Sequence, residues 1–196
     1  TRIGLSTGAI LSIAFGEFLL GITLALGLQW AFAAILTIGR SLDIQAGFGM
    51  ALLADPSDQS QLPQIGTVFD YGGAMIFFAV GGAGELLALF VESLIRMPLG
   101  SAGLTVNPAP LVAFIAAAFI IAVGLAGLVM LVLFMIDGTV AFLSRTLPQM
   151  NVLLIGFQVK TLAVLITLPI ALSLSLAAYL RLLRGALQTS SAMLPG

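Results

Sequence analysis

Four apolar segments, each longer than a lipid bilayer requires, make up most of this chain. They cover residues 4–39, 62–96, 108–144 and 152–187, and stretches with Pro, Gly or charge separate them. A bilayer core needs roughly 20 helical residues, whereas 35 residues of helix reach about 50 Å. The segments are therefore predicted to be long helices that tilt, kink or extend beyond the lipid.

The composition supports the same class of fold. Of the 196 residues, 60% are hydrophobic and 8% are charged, whereas soluble proteins have about 25% charged residues. We therefore predict an all-α integral membrane protein of long kinked helices arranged as hairpins, with residues 1–196 in a single helical domain.

Several kinds of chemistry are disfavoured by what the chain lacks. The net charge of −1 gives no basic footprint for nucleic acid, and Cys and His are both absent. Disulfides, thiol nucleophiles, Cys/His metal sites and imidazole acid–base catalysis are thereby excluded. The sequence also lacks a P-loop, a dinucleotide-binding glycine pattern and an HExxH motif. We expect no enzyme activity, no cofactor and no metal.

The helices are expected to bend at particular residues. Gly81, Gly82 and Gly84 cluster inside the second segment, and Pro169 lies inside the fourth, where it should kink the helix. The stretch SRTLPQMN (residues 144–151) should be a tight turn that joins the third and fourth helices as an antiparallel hairpin.

The first break between helices has an unusual composition. Residues 40–58, RSLDIQAGFGMALLADPSD, combine glycines, a proline and charged residues around an apolar middle that is too short to span a bilayer. A break of this kind between very long apolar helices predicts a loop, over about residues 40–60, at a pore or cavity.

Charged residues inside or beside the apolar segments are candidate sites, because carboxylates at membrane depth usually face a bundle interior, a cavity or a partner. Glu92 and Arg96 have the favourable i, i+4 order for an ion pair, and Lys160 is placed to reach Asp137 across the last hairpin. These residues act either in proton or ion transfer or as satisfied polar groups at contacts between helices or subunits. The full set is Glu17, Glu85, Glu92, Arg96, Asp137, Arg145 and Lys160.

Three stretches, in order along the chain, resemble the FliR family of flagellar export-gate proteins and the related SctT-type injectisome proteins. They are GEFLLGITLALGLQWAFAAILTIGRSLDIQAGFGMALLADPS (16–57), VESLIRMPLG (91–100) and RTLPQMNVLLIGFQVKTL (145–162). The last, with its R..PQ.N…G…K pattern, is the most specific. The resemblance covers about residues 16–187, and it implies that two further apolar segments precede Thr1.

The resemblance implies a non-enzymatic subunit of the type III protein export gate in the flagellar basal body of the bacterial inner membrane. Its implied partners are FliP-type and FliQ-type gate subunits, FlhB-type and FlhA-type membrane proteins, and unfolded export substrates. The loop after the first helix would plug the pore. The residues expected in the plug are Ile44, Gln45, Gly47, Phe48, Gly49, Met50, Leu53, Asp55 and Pro56.

Within this plug, the large apolar side chains would form a compliant seal, the glycines would let the backbone bend, and Asp55-Pro56 would end the plug in a fixed turn. Three alternatives stay open on the sequence alone. They are an injectisome subunit, an ion or small-molecule permease that uses Glu17, Glu85 and Glu92, and an assembly factor that does not contact a pore.

Overall fold

The computed structural model describes residues 7–48, 64–98, 108–146 and 152–194, which form six α-helices and contain no strand. The prediction of an all-α fold is confirmed. The helices are α1 (Thr7–Ala46), α2 (Gln64–Ala79), α3 (Gly82–Arg96), α4 (Ala109–Thr146), α5 (Val152–Leu174) and α6 (Leu176–Ala192).

Three of the helices in the described ranges are long and apolar enough to cross a membrane. They are Thr7–Ala46, Ala109–Thr146 and the Leu154–Leu174 part of α5. Helices α2 and α3 supply a fourth if the pair counts as one interrupted span. These lengths agree with the prediction of an integral membrane protein of over-long helices.

The first helix continues further than the sequence predicted. Residues 40–46 are helical, so the expected loop does not begin at Arg40 but after Ala46. Arg40 does not end the helix, because it is exposed while Leu42 and Ala46, four residues apart, are buried on the opposite side. Asp43, the other charge, is buried but accepts hydrogen bonds from backbone N–H groups of α2. A helix accommodates a charged residue on the face that points away from its packed side.

The second apolar segment is interrupted, as its glycine cluster predicted. Gly81 has a φ of +81°, in the left-handed region, and its N–H donates to the carbonyl of Phe78 at 3.2 Å. The Gly81 carbonyl then accepts from Gly84 and Glu85, which starts α3. A residue without a side chain adopts this backbone conformation without strain. The single helix predicted over 62–96 is therefore two helices.

The last segment, predicted as one helix over 152–187 with a kink at Pro169, is also two helices, and the interruption lies at Ser175. Helix α5 runs through Pro169 and ends at Leu174, and α6 begins after Ser175. The Ser175 hydroxyl donates to the carbonyl of Ala171, the same oxygen that the Ser175 N–H would use in a regular helix. That N–H donates to Leu172 instead, at 3.2 Å. Competition of this kind from a serine hydroxyl interrupts the helical hydrogen-bond pattern.

The chain divides into two compact units, and α1, α2, α4 and α6 each contribute to both. The first unit comprises Thr1–Ala31, Phe77–Ala118 and Arg181–Gly196. Its core contains buried side chains from α1, from α3 and the residue that follows it, and from the segment after α6, namely Leu20, Leu24, Leu89, Met97 and Leu194. In this unit the Ser190 hydroxyl donates to the carbonyl of Leu24 at 2.9 Å.

The second unit comprises Phe32–Ile76 and Phe119–Leu180. Helices α4 and α5 form the predicted antiparallel hairpin here, because Asp137 meets Lys160 and Val140 packs against Gly156. The buried phenol of Tyr179 donates to the carbonyl of Phe69 at 2.9 Å. Burial, and secondarily the nearby Asp70 carboxylate, raise the pKa of Tyr179 far above its usual range, so this phenol remains a donor.

Candidate functional site

The densest set of long-range polar contacts in the second unit lies where α1 ends and α2 begins. We call this region the α1–α2 junction. It consists of the last turns of α1 with Gly47 and Phe48, the first turn of α2, and three side chains beside them, Asp137, Phe157 and Lys160. The predicted plug would follow from it.

Helix α1 ends in a glycine cap. Gly47 has a φ of +92°, and its N–H donates to the carbonyl of Ile44 at 3.1 Å. A left-handed glycine directly after the last helical residue is a common helix terminus. The ring of Phe157 lies directly against it: a Cβ on Gly47 would be 2.5 Å from ring atom Cδ1. Both the backbone angle and this ring therefore require glycine at position 47.

Asp43 connects the end of α1 to the start of α2. One carboxylate oxygen accepts from the N–H of Ile65 at 2.8 Å, and the other accepts from the N–H of Gly66 at 3.2 Å. The first N–H groups of a helix have no partner within the helix, and a negative charge there is favoured by the helix dipole. Asp43, which is 6% exposed, thus caps α2 from a position 22 residues earlier.

The two helices also touch through their backbones. A Cβ on Gly39 would collide with the Cα of Gly66, so the backbones of α1 and α2 approach each other at a distance that requires glycine at position 39. Ile65, beside Gly66, is buried, as is Leu42 on the facing helix. The close glycine contact and the Asp43 cap therefore reinforce each other at adjacent turns.

Lys160 holds the other side of the junction. Its Nζ donates to the carbonyl of Gln45 at 3.0 Å and lies 2.5 Å from a carboxylate oxygen of Asp137, which confirms the pair expected from the sequence. The Lys160 side chain is 14% exposed and that of Asp137 is 43% exposed. A cation at the last carbonyls of a helix is favourable because it faces the negative end of the helix dipole. Lys160 thus joins α1, α4 and α5.

The two contacts of Lys160 should differ in strength. We expect Lys160→Met to reduce the free energy of unfolding by about 1–2 kcal/mol, because the Gln45 carbonyl loses a charged donor. Asp137→Ala should cost about 0.5 kcal/mol, since its carboxylate is well exposed and Lys160 keeps Gln45. Melting temperatures of the two single variants and the double variant in detergent give the coupling between the residues. If Asp137→Ala lowers the free energy of unfolding as much as Lys160→Met does, this ranking is contradicted.

The predicted plug residues fall into two groups. Ile44 and Gln45 were expected in the loop, but they lie in the last turn of α1, with Ile44 69% exposed and Gln45 half-buried. Gly47 and Phe48 follow the helix, as predicted. The remaining plug residues lie outside the described residues; they are Gly49, Met50, Leu53, Asp55 and Pro56.

The other charged candidates are dispersed rather than gathered at one site. Glu92 and Arg96 form the predicted ion pair within α3, at 2.6 Å, with both side chains well exposed. Glu85 is exposed in the first turn of α3, and Glu17 is half-buried in α1. Arg145 is exposed in the last turn of α4. Within the described ranges no three acidic residues come together as a metal site would require.

The sequence did not single out Asp43 as a functional residue. It stands in the DIQAGFG stretch, but its partners are backbone N–H groups 22 and 23 residues later, and backbone partners leave no residue-type signal. An acidic residue one helical turn before a glycine-rich helix end was the only sign available.

Known proteins align along most of this chain. Residues 3–186 match the family described as "Bacterial export proteins, family 1". The flagellar biosynthetic protein FliR of Bacillus subtilis (strain 168) is 32% identical over 166 residues, covering 82% of this chain and 64% of the relative. FliR of Escherichia coli (strain K12) is 30% identical over 166 residues, covering 82% and 61%.

A relative with a different name also aligns. The surface presentation of antigens protein SpaR of Salmonella typhimurium (strain LT2) is 28% identical over 162 residues, covering 82% of this chain and 61% of the relative. The chain spans about three fifths of the length of FliR of Escherichia coli and of this SpaR. With three described helices suited to a membrane and a family match over nearly its whole length, this chain is a membrane-embedded protein that belongs to family 1 of the bacterial export proteins, the family of FliR and SpaR.

Proposed function

We propose that this chain is a non-enzymatic subunit of a flagellar type III export apparatus in the bacterial inner membrane, where unfolded proteins cross through a pore. The family match over residues 3–186 carries the proposal, and the similarity to FliR proteins supports its flagellar form. Its partners would be FliP-type and FliQ-type gate subunits together with FlhB-type and FlhA-type membrane proteins.

We further propose that the segment between α1 and α2 plugs this pore. The α1–α2 junction supports the proposal, because Asp43 and Lys160 fix the points at which the segment leaves α1 and enters α2. A plug has to be anchored at its base if the rest of it is to open and close. From Gly47 onward, Phe48, Met50 and Leu53 would supply the apolar seal, and methionine suits it because its side chain adapts its shape.

The surface of the helices is consistent with membrane or partner contact over large areas. Large apolar side chains are exposed along helices α1 to α5, whereas in α6 only the first residue is of this kind. Examples are Phe15, Phe18, Met75, Phe90 and Phe134. Exposed apolar surface on this scale is unusual for a monomer in water and marks contact with lipid or other subunits. A gate subunit packed against several membrane partners would cover this surface.

The plug is tested by the ion leak of cells that express the assembled export apparatus. We expect deletion of residues 47–53 to increase the leak of monovalent cations across the inner membrane. Replacing the same seven residues with Gly and Ser should increase it as well, because this keeps the length and removes the seal. Co-purification of the partner subunits shows that the apparatus still assembles. An assembled apparatus without increased leak would contradict the plug.

An injectisome role is the second candidate, because SpaR proteins also align with this chain. Deletion of the gene in its own bacterium separates the two. Loss of motility and of secreted flagellar subunits supports the flagellar role, whereas intact motility with loss of another secreted protein set supports the injectisome role.

A further inference from the structure

Two side chains of α5 rest against the end of α1. Phe157 and Lys160, three residues apart, are half-buried on one side of α5, whereas the other side chains of residues 154–160 are exposed. The Phe157 ring lies against Gly47, and the Lys160 ammonium donates to the carbonyl of Gln45 at 3.0 Å. We call Phe157 and Lys160 together the α5 clamp.

Gly47 needs an outside contact if the chain is to leave α1 in one direction. Its φ of +92° lies in the left-handed region, but glycine also adopts many other backbone conformations at similar cost. A glycine at this point therefore ends the helix without fixing the path of the residue that follows. A Cβ at Gly47 would be 2.5 Å and 2.7 Å from two ring atoms of Phe157, so the ring limits where Gly47 can move.

Asp43 does not supply this restraint. Its carboxylate binds the N–H groups of Ile65 and Gly66, so it holds the start of α2 against α1. Asp43 itself lies inside α1, where helical hydrogen bonds already fix the backbone. The end of α1 thus has two separate supports, because Asp43 holds α2 whereas the α5 clamp holds Gln45 and Gly47.

The α5 clamp is itself fixed to α4. A Cβ on Gly156 would be 3.1 Å from a methyl group of Val140, and Lys160 pairs with Asp137. Both contacts join α5 to α4 and involve no residue of α1. The side chains of Phe157 and Lys160 therefore reach the end of α1 from a hairpin whose two helices already hold each other.

We propose that Phe157 and Lys160 are positioning residues, which set the place and direction in which the segment between α1 and α2 leaves α1. That segment then seals the pore only while α5 holds the end of α1. The role in sealing rests on the proposed function, whereas the hold on α1 does not. The seal thereby depends on a helix outside the segment, so changes on α5 weaken it without altering any residue of the segment.

The test compares single variants in the assembled apparatus. Phe157→Ala and Lys160→Met each remove one contact, and in both we expect faster hydrogen exchange at the Gly47 amide, which donates to the Ile44 carbonyl. The increase should be roughly tenfold in Lys160→Met, because a hydrogen bond from a charged donor is lost. The leak of monovalent cations should rise in cells that express either variant. Lys160→Arg keeps a charged donor and should restore most of the protection and of the seal.

Two matched controls separate the clamp from a general loss of packing. Gln158→Ala and Val159→Ala change exposed side chains that lie between the two clamp residues along α5. Neither should change the exchange at Gly47 or the leak. Co-purification of the partner subunits shows that each variant still assembles, and unchanged exchange near Phe69 shows that the rest of the unit is still folded.

Unchanged exchange at Gly47 in folded variants of both clamp residues overturns the proposal, as does equal acceleration in the two controls. Faster exchange without added leak overturns it too, when deletion of residues 47–53 does cause leak. If that deletion causes no leak either, the plug itself is wrong, and the exchange at Gly47 alone decides whether α5 positions the end of α1.

Discussion

Gly39→Ala should be among the most destabilising single-methyl changes in this chain. The added Cβ would collide with the Cα of Gly66, and backbone atoms cannot move aside as the end of a side chain can. The helices would have to separate, which would also strain the Asp43 cap one turn away. We expect the free energy of unfolding to fall by about 3 kcal/mol, at the upper end for overpacking. The melting temperature should fall as well, and it is measured from the amount of protein that still elutes as the folded peak in size-exclusion chromatography after heating.

The matched control is Gly21→Ala in the same helix. A Cβ at Gly21 meets nothing within 4 Å, so the change adds a methyl group to open space. Alanine favours a helix over glycine by about 1 kcal/mol, and this variant should therefore be as stable as the parent or slightly more stable. Equal effects at positions 39 and 21 would show that the Gly39–Gly66 contact is not as close as the structure has it.

Asp43→Ala should be the second most damaging change. It removes both acceptors for the N–H groups of Ile65 and Gly66, and these groups would remain in a buried position without a partner. Loss of a helix cap costs about 1 kcal/mol, and an unsatisfied buried N–H adds to that, so we expect about 2 kcal/mol in total. The matching variant Asp43→Asn keeps one acceptor oxygen and should lose about half as much.

Amide hydrogen exchange can separate this local effect from general unfolding. In Asp43→Ala the first-turn amides of α2 should exchange markedly faster, while amides near Phe69, deeper in the same helix, should change little. Uniform acceleration along α2 would mean that Asp43 supports the whole unit and does not act as a cap. Unchanged exchange at Ile65 and Gly66 would mean that the cap does not form in solution.

The broad architecture could be predicted from the sequence because it depends on long apolar runs. The apolar segments, the interruption at the Gly81 cluster and the hairpin of α4 and α5 all follow from residue composition and spacing. Composition is a strong signal here, since a chain with so few charges has little surface suited to water. The family, too, could be identified from short motifs spread along the chain.

The interruption at Ser175 and the end of α1 could not be predicted in the same way. The break at Ser175 depends on which carbonyl one hydroxyl chooses, and serines are also found inside regular helices. The extension of α1 to Ala46 accompanies the burial of Leu42 and Ala46, and its last turn is bonded to Ile65 and Lys160, which lie far along the chain. A charged stretch in the sequence does not show whether its charges point outward from a helix or end it.

The junction illustrates the same difference at the level of single residues. The Lys160–Asp137 pair could be anticipated, because both partners are charged side chains on adjacent helices of a short hairpin. The bonds from Asp43 to Ile65 and Gly66, and from Lys160 to Gln45, end on backbone atoms, which every residue has. Only the three-dimensional arrangement identifies which backbone groups are used.

The tied ends at Asp43 have a consequence for how such proteins can change. The Asp43 carboxylate holds the end of α1 and the start of α2 together. The connecting segment therefore begins and ends at the same place, whatever the length of the segment. The entropy of closing a loop changes slowly, by only about 0.6 kcal/mol for each doubling of its length. The segment between α1 and α2 can therefore lengthen, shorten or be exchanged between relatives, provided that Gly39 and Asp43 are kept.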